Sequence, residues 1–322
     1  MSQYPWSHEA RYDQAKLIAE GGMGAVYSAR DAKLERTVAI KVISSVHRQH
    51  IDFRKRMKRE ISALSKLEHP NIVRLYECNE GPTGELYFTM EYVPGIALND
   101  YVKKRKLSAR KVVTLFLSVL DAISALHKAK IIHRDIKAAN VLITDDARVK
   151  LIDLGLACFE NNSATPLTKT NQVVGTLAYL PPEVCQGGSY TEQSDIFQAA
   201  LALDLTLRDK SGYRIKEYPD ELAEIVDRAL SDNPQERQPS IDALHQDLSN
   251  WLKRPPSRPV SKVKAKNEQR HWVAFLLFLT SLLALCCFYF LGGSGEAISV
   301  LGVRLQSPKR LLLLFKGSKD GA

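Results

Sequence analysis

The sequence predicts an α+β fold, with a strand-rich first part, a helical second part and one apolar helix towards the C-terminal end. Short runs rich in β-branched and aromatic residues fall within 13–43 and 72–92. From residue 108 onward the apolar spacing changes to three and four. Trp272 to Leu291 is then a run of 20 residues without a charge.

Taken in order, Asp13 to Ile43 reads as short strands around a glycine turn, ending in Val38–Ile43 as a buried strand. A charged helix follows, with Phe53, Met57, Ile61 and Leu64 on one stripe, and His69-Pro70-Asn71 ends that stretch. Ile72–Tyr76 and Leu86–Tyr92 are strand-like, and Pro94-Gly95 leads into the helical half. Val112, Phe116, Val119, Ile123 and Leu126 make the apolar stripe of a helix between Ser108 and Lys128. Further helices are expected near Gln193–Leu207, Asp220–Leu230 and Ser240–Leu252, the last two opening after Pro219 and Pro239. There is no internal repeat.

Charge separates the chain into two parts. The whole carries 45 Lys and Arg against 36 Asp and Glu, but residues 253–322 hold 12 and 3, so residues 1–252 carry 33 of each. A neutral domain beside a basic, apolar tail points to an anionic membrane surface and away from nucleic acid. The five cysteines form no disulfide framework and no metal-ligand spacing, which suits a reducing compartment. Met1 to Ala10 lacks the apolar core of a signal peptide.

The chemistry is concentrated in a few short motifs. Asp135 is followed five residues later by Asn140 and eighteen residues later by Asp153, in His133-Arg134-Asp135-Ile136-Lys137-Ala138-Ala139-Asn140 and Asp153-Leu154-Gly155. Upstream stand Val38-Ala39-Ile40-Lys41 and the run Glu20-Gly21-Gly22-Met23-Gly24-Ala25-Val26-Tyr27. An Asp and an Asn to hold a hydroxyl and a metal, a second metal Asp and a strand Lys are what a phosphoryl-transfer site needs. A GGxG turn alone is most often a hairpin; its place ahead of the strand lysine gives it meaning.

Over roughly residues 12–252 these motifs resemble the eukaryotic-like (Hanks-type) protein kinases, and the glycine-rich run is most similar to the bacterial serine/threonine members. The resemblance implies a two-lobed fold with a small β-rich lobe and a larger helical one, and transfer of the γ-phosphoryl group of Mg·ATP to Ser or Thr hydroxyls of proteins. It implies that Ile18, Ala19, Glu20, Gly21, Gly22, Met23, Gly24, Ala25 and Val26 cover the nucleotide. Ala39, Met90, Glu91 and Val93 would surround the adenine. Lys41, held by Glu60, would meet the phosphates; Asp135 would orient the hydroxyl, Lys137 would stabilise the moving phosphoryl group, and Asn140 and Asp153 would hold Mg²⁺. Thr168 and Thr170 resemble the doubly phosphorylated Thr-x-Thr of the bacterial relatives, with Arg134 as their partner.

Departures from the family pattern are also visible. Ala19 replaces a usual Gly, Leu154 a usual Phe, Pro181-Pro182-Glu183 the usual Ala-Pro-Glu, and Ala200 a helix Gly. The stretch from Asp195 to Arg237 is roughly twenty residues shorter than in relatives, although Arg237 remains to pair with Glu183. A pseudokinase scaffold is the alternative this shortening supports. A small-molecule kinase is the other, against which the segment from Thr168 to Glu183 counts.

The expected organisation is a kinase domain over 1–252, a basic Pro-rich linker over 253–271, a membrane span over 272–291 and a short outer tail over 292–322. As a helix the span would reach about 30 Å, a bilayer core. Seven Lys and Arg in residues 252–271 against three in 292–311 place the N-terminal side in the cytoplasm of a cell-membrane protein. Expected partners are protein substrates, membrane lipid and a second copy for phosphorylation in trans.

Overall fold

The structure, a computed structural model, describes residues 4–7, 11–21, 24–44, 57–59, 61–62, 64–153, 179–208 and 218–255. The strand-rich part is a five-stranded antiparallel sheet of β1 (Tyr12–Gly21), β2 (Gly24–Asp31), β3 (Arg36–Ile43), β4 (Leu75–Glu80) and β5 (Leu86–Glu91), in the order β1-β2-β3-β5-β4. Because side chains alternate along a strand, β3 sends Ala39 and Ile43 to the main core and Val38 and Ile40 to the opposite face. Lys41 shares the inner parity, and that points its ammonium at the cleft. Trp6, 1% exposed and stacked on Tyr4 with ring centroids 5.0 Å apart, covers the outer face together with Tyr87.

Gly24 requires its residue type. Its φ is +129°, and a Cβ there would lie 1.8 Å from the carbonyl oxygen of Val42. A Cβ on Gly21, by contrast, would meet nothing within 4 Å, so this glycine leaves open space above the strand pair.

After Glu91 the chain crosses through Val93 and Gly95 into the helical part. A Cβ on Gly95 would come 2.8 Å from the carbonyl oxygen of Ile143, so the crossing chain lies tight against a second, three-stranded sheet. That sheet is β6 (Gly95–Ala97), β7 (Val141–Thr144) and β8 (Val149–Leu151). The helices are α1 (Leu98–Arg105), α2 (Ala109–Lys128), α3 (Pro182–Cys185), α4 (Glu192–Thr206), α5 (Asp220–Ala229) and α6 (Ile241–Lys253). The predicted stripe of α2 is its core face: Val112, Phe116, Val119, Ile123 and Leu126 are fully buried. Thr191 and Ser194 form a reciprocal cap that starts α4, and the Ser240 hydroxyl accepts from the Ala243 amide to start α6. The elements β6–β8, α1 and α3 carry no periodic signal, being mostly three or four residues long.

One expectation is corrected. Ile72–Tyr76 is not a continuous strand, since β4 begins at Leu75. The Asn71 side-chain amide donates to the Val149 carbonyl (3.0 Å), the Leu151 amide donates to the Asn71 carbonyl (2.7 Å), and Ile72 bridges Leu151 in parallel. The residues before β4 therefore pair with β8 and tie the two sheets together, at the expense of a longer β4.

The short stretch after α4 is closed by its own clamp. Buried Asp204 accepts from Arg208 Nε (2.7 Å) and from the Tyr218 hydroxyl (3.3 Å), joining residues on either side of 209–217. Met57, Ile61 and Leu64 of the charged segment are buried as its stripe predicts. Among the described residues no helix is long and apolar enough to cross a membrane; the expected span 272–291 and its linker lie outside them.

Candidate active site

The site is built on the loop between α2 and β7. Asp135, 4% exposed, accepts from Lys137 Nζ at 2.8 and 3.1 Å and from Asn140 Nδ2 at 2.9 Å, while the same amide nitrogen reaches the Asp135 carbonyl at 2.8 Å. The 3₁₀ turn Ala138–Asn140 brings the amide back under the carboxylate, which explains the five-residue spacing. From the other side of the cleft Lys41, 6% exposed, reaches Asp153. Burial pushes the Asp153 carboxyl up, but the charge and hydrogen bond of Lys41, with Lys137 adding to them, hold it below the ordinary carboxylate range. One ammonium from the first sheet and a second from the loop therefore keep Asp153 ionised.

Two residues of the site adopt the left-handed backbone conformation: Arg134 at φ +68° and Asp153 at φ +57°. For a residue with a Cβ this costs about 1–2 kcal/mol, so the surrounding bonds must impose it. Buried Asp195 of α4, 0% exposed, accepts from the backbone amides of His133 and Arg134, both at 2.8 Å, and meets His127 Nε2 at 2.9 Å. Gln198, one turn on, accepts from the Ile136 amide (3.1 Å) and donates to the carbonyls of Arg134 (3.1 Å) and Tyr179 (3.2 Å). Sequence reading did not assign this anchoring to Asp195 or Gln198, because their partners are backbone groups about sixty residues away. The buried charge in an apolar helix is the signal that could have found Asp195.

His133 is 1% exposed, and burial lowers its pKa against the pull of Asp195, Asp135 and Asp153. Its Nδ1 faces the Asp135 amide at 3.3 Å, which requires that nitrogen to be unprotonated and places the ring proton on Nε2.

Ala39, Met90 and Val93, three of the residues expected around the adenine, belong to the main core. Ala39 lies opposite Met90 in the β3–β5 pairing, and Val93 and half-buried Val26 pack in the same cluster. Leu142 of β7, which sequence reading did not name, is half-buried against the same large core. Ile18 is 51% exposed on β1, where Ala19, Glu20 and Gly21 continue the strand towards the turn. Ala25 follows on β2, and Glu91 is held by Lys150 (2.7 Å). Gly22, Met23, the Glu60 side chain, Thr168 and Thr170 lie outside the described residues, as do the expected Lys41–Glu60 and Arg134–threonine contacts.

Behind the site, Arg237 is 2% exposed and grips Glu183 with two bonds of 2.8 and 3.0 Å, its Nε donating to the Ser231 carbonyl at 2.9 Å. Ser194 donates to the same carboxylate at 2.8 Å.

A buried carboxylate clamped by a lysine and an amide, with a strand lysine facing a second carboxylate, is the arrangement of a phosphotransfer site. The chain belongs to the protein kinase family: residues 12–254 match the protein kinase domain. It is 37% identical over 194 residues to the serine/threonine-protein kinase PrkC of Bacillus subtilis, covering 60% of this chain and 30% of that one. It is 31% identical over 264 residues to the serine/threonine-protein kinase PknB of Mycobacterium tuberculosis, covering 74% and 42%. Among solved structures the PknI kinase domain of Mycobacterium tuberculosis is similar at a TM-score of 0.59 and 25% identity, over 75% of this chain and 95% of that one. The chain spans less than half the length of the curated relatives it matches.

Proposed function

We propose that the chain is a membrane-anchored serine/threonine protein kinase that moves the γ-phosphoryl group of ATP to Ser and Thr hydroxyls of proteins. The observation that carries the proposal is the convergence of Asp135, Lys137 and Asn140 opposite the Lys41–Asp153 pair. The donor set suits a hard divalent ion: an ionised carboxylate and an amide oxygen, with no cluster of three or more His, Cys, Asp or Glu among the described residues, leave coordination to phosphate and water oxygens. Asn140 and Asp153 would hold Mg²⁺, which when bound with ATP neutralises charge on the phosphates.

The residues of the chain then divide the work. Lys41 is positioned to leave Asp153 for the phosphates of an arriving nucleotide, keeping one positive charge at the point where negative charge accumulates. Asp135 orients the substrate hydroxyl and takes up its proton at a carboxylate oxygen. Lys137, already on that carboxylate, offers an ammonium to the phosphoryl oxygens during transfer. Asp195 and Gln198 fix the backbone on which Asp135 and Lys137 stand, so little reorganisation is left for the reaction itself. Intact site geometry favours catalysis over a nucleotide-binding scaffold.

Activation is proposed to run through Thr168 and Thr170, whose phosphates would pair with Arg134. Mass spectrometry of the chain after incubation with Mg·ATP is expected to find phosphate on one or both. The Thr168→Ala/Thr170→Ala variant should phosphorylate an added substrate on the order of 10-fold or more slowly, an effect of the size expected from losing one charge-assisted pair. Full activity of that variant would remove the switch from the account.

For the anchor, the support is the uncharged run 272–291 and the excess of basic residues before it. Full-length protein is expected to stay in the membrane through alkaline carbonate, with a reporter fused at Ala322 active outside the cytoplasm. Release by salt alone would sink the anchor, and a reporter active only in the cytoplasm would reverse the topology.

A further inference from the structure

The exposed basic residues of the domain are unevenly distributed. Residues 101–120 contain Lys103, Lys104, Arg105, Lys106, Arg110 and Lys111 and no Asp or Glu; residues 248–255 contain Lys253 and Arg254 and again no acid. These two acid-free stretches meet in the fold. Arg110, in the first turn of α2, donates to the Leu252 carbonyl at the end of α6, and its guanidinium lies 5.2 Å from the Trp251 ring centroid.

The first turn of α2 therefore lies against the last turn of α6, and the last turn of α1 joins this corner through the three-residue link 106–108. Lys103, Lys104, Arg105, Lys106, Lys111, Lys253 and Arg254 are all exposed there. Several exposed cations elsewhere have acidic partners, Lys58 with Glu80, Arg74 with Glu68, Lys128 with Asp242 and Arg148 with Asp146, while those without an ion pair, such as Lys33, Lys66 and Lys130, are scattered along the chain. Among the described residues no ion pair involves a cation of this corner, although exposed Asp100 stands one turn before Lys104 on α1. Basic residues at a helix C-terminus complement its dipole, which accounts for the end of α1. It does not account for Lys111 at the start of another helix, or for Lys253 and Arg254 adding two more cations beside a stretch, 1–252, whose charges balance.

We propose that this corner docks the kinase domain on the anionic phospholipid surface of the membrane that holds the chain, an inference that rests on the membrane-anchored reading above. The site of exit supports lipid as the occupant. The described chain leaves the domain at Pro255, next to this corner, and only 16 residues (256–271) precede the uncharged run. Fully extended they reach roughly 55 Å, so the corner stays within tether range of headgroups, and a short tether raises the effective concentration of that surface. Each cation brought to an anionic surface adds attraction that salt screens within about 8–10 Å.

The test is hydrogen exchange of the full chain in nanodiscs of phosphatidylcholine alone or with phosphatidylglycerol. Peptides covering 99–111 and 248–254 are expected to exchange several-fold more slowly in the anionic discs than in neutral ones. That protection should vanish in high salt, and in the variant with Lys103, Lys104, Arg105 and Lys106 all changed to Gln. Equal exchange in both lipids, or unchanged protection in the variant, overturns the proposal. Protection that is independent of lipid charge and grows with protein concentration overturns it in favour of a second copy on this face. Carbonate extraction separates the two readings: a chain that stays in the disc without lipid-dependent protection is anchored but does not dock. If the chain washes out, sedimentation with anionic and neutral vesicles decides whether the corner binds lipid without the anchor; equal sedimentation overturns it.

Discussion

Replacing Asp135 with Asn lowers the rate of phosphoryl transfer by roughly 10²–10⁴-fold, the range for losing a positioned general base. The substitution keeps the shape of a side chain that is 4% exposed and can still accept from Lys137, so the loop retains its conformation. What disappears is the charge proposed to orient the substrate hydroxyl and take its proton. Nucleotide affinity, proposed to rest on Lys41 and the residues around Ala39 and Met90, should stay close to wild type. Measuring kcat at saturating ATP together with nucleotide binding separates these effects; a kcat within a factor of about two of wild type would remove Asp135 from the chemical step.

Removing Arg237 has the largest expected effect on stability. The Arg237→Ala change leaves Glu183 with Ser194 as its remaining side-chain partner and empties the space over the Phe197 ring, 4.9 Å from the guanidinium. Breaking a buried pair of this kind costs about 3–5 kcal/mol, a fall in Tm on the order of 10 °C for a domain of this size. The pair also predicts a pH dependence. Burial pushes the Glu183 carboxyl up, but Arg237, its own backbone amide and Ser194 hold it below the ordinary value. A carboxyl depressed on folding contributes its stability above the unfolded pKa and loses it as pH falls through the folded one. Wild type should therefore lose stability as pH drops below about 4, and Arg237→Ala should lose less over the same window. Thermal unfolding of both proteins across that range checks the two effects together; a Tm shift below about 2 °C at neutral pH would contradict the first.

The convergence of Asp135, Lys137 and Asn140 was legible in the sequence, because phosphotransfer fixes residue types at spacings that a short loop can span. Lys137 and Asn140 reach Asp135 within five residues, and a 3₁₀ turn is enough to bring them together. The supports were less legible. Asp195 and Gln198 act on backbone amides and carbonyls, which any residue supplies, so nothing in the loop sequence points back to α4. The pairing of Ile72 with Leu151 was hidden for a related reason: the run reads as a strand, and the Asn71 side chain together with backbone bonds to Leu151 diverts it to a different sheet. Trp6 was missed because six residues show no period; its burial depends on the exposed-face apolar positions of β3 needing a cover. Asp204 was hidden likewise, because its partners Arg208 and Tyr218 stand on either side of residues 209–217.

Transfer of the terminal phosphoryl group of ATP to a hydroxyl side chain, by this chain's own residues, can be measured directly. The measurement is incubation of the full-length protein with Mg·ATP labelled at the γ-phosphate, followed by phosphoamino-acid analysis. Label in phosphothreonine or phosphoserine for wild type, and none above background for Lys41→Met, is the predicted result; an unlabelled wild type, or equal label in both proteins, would contradict it.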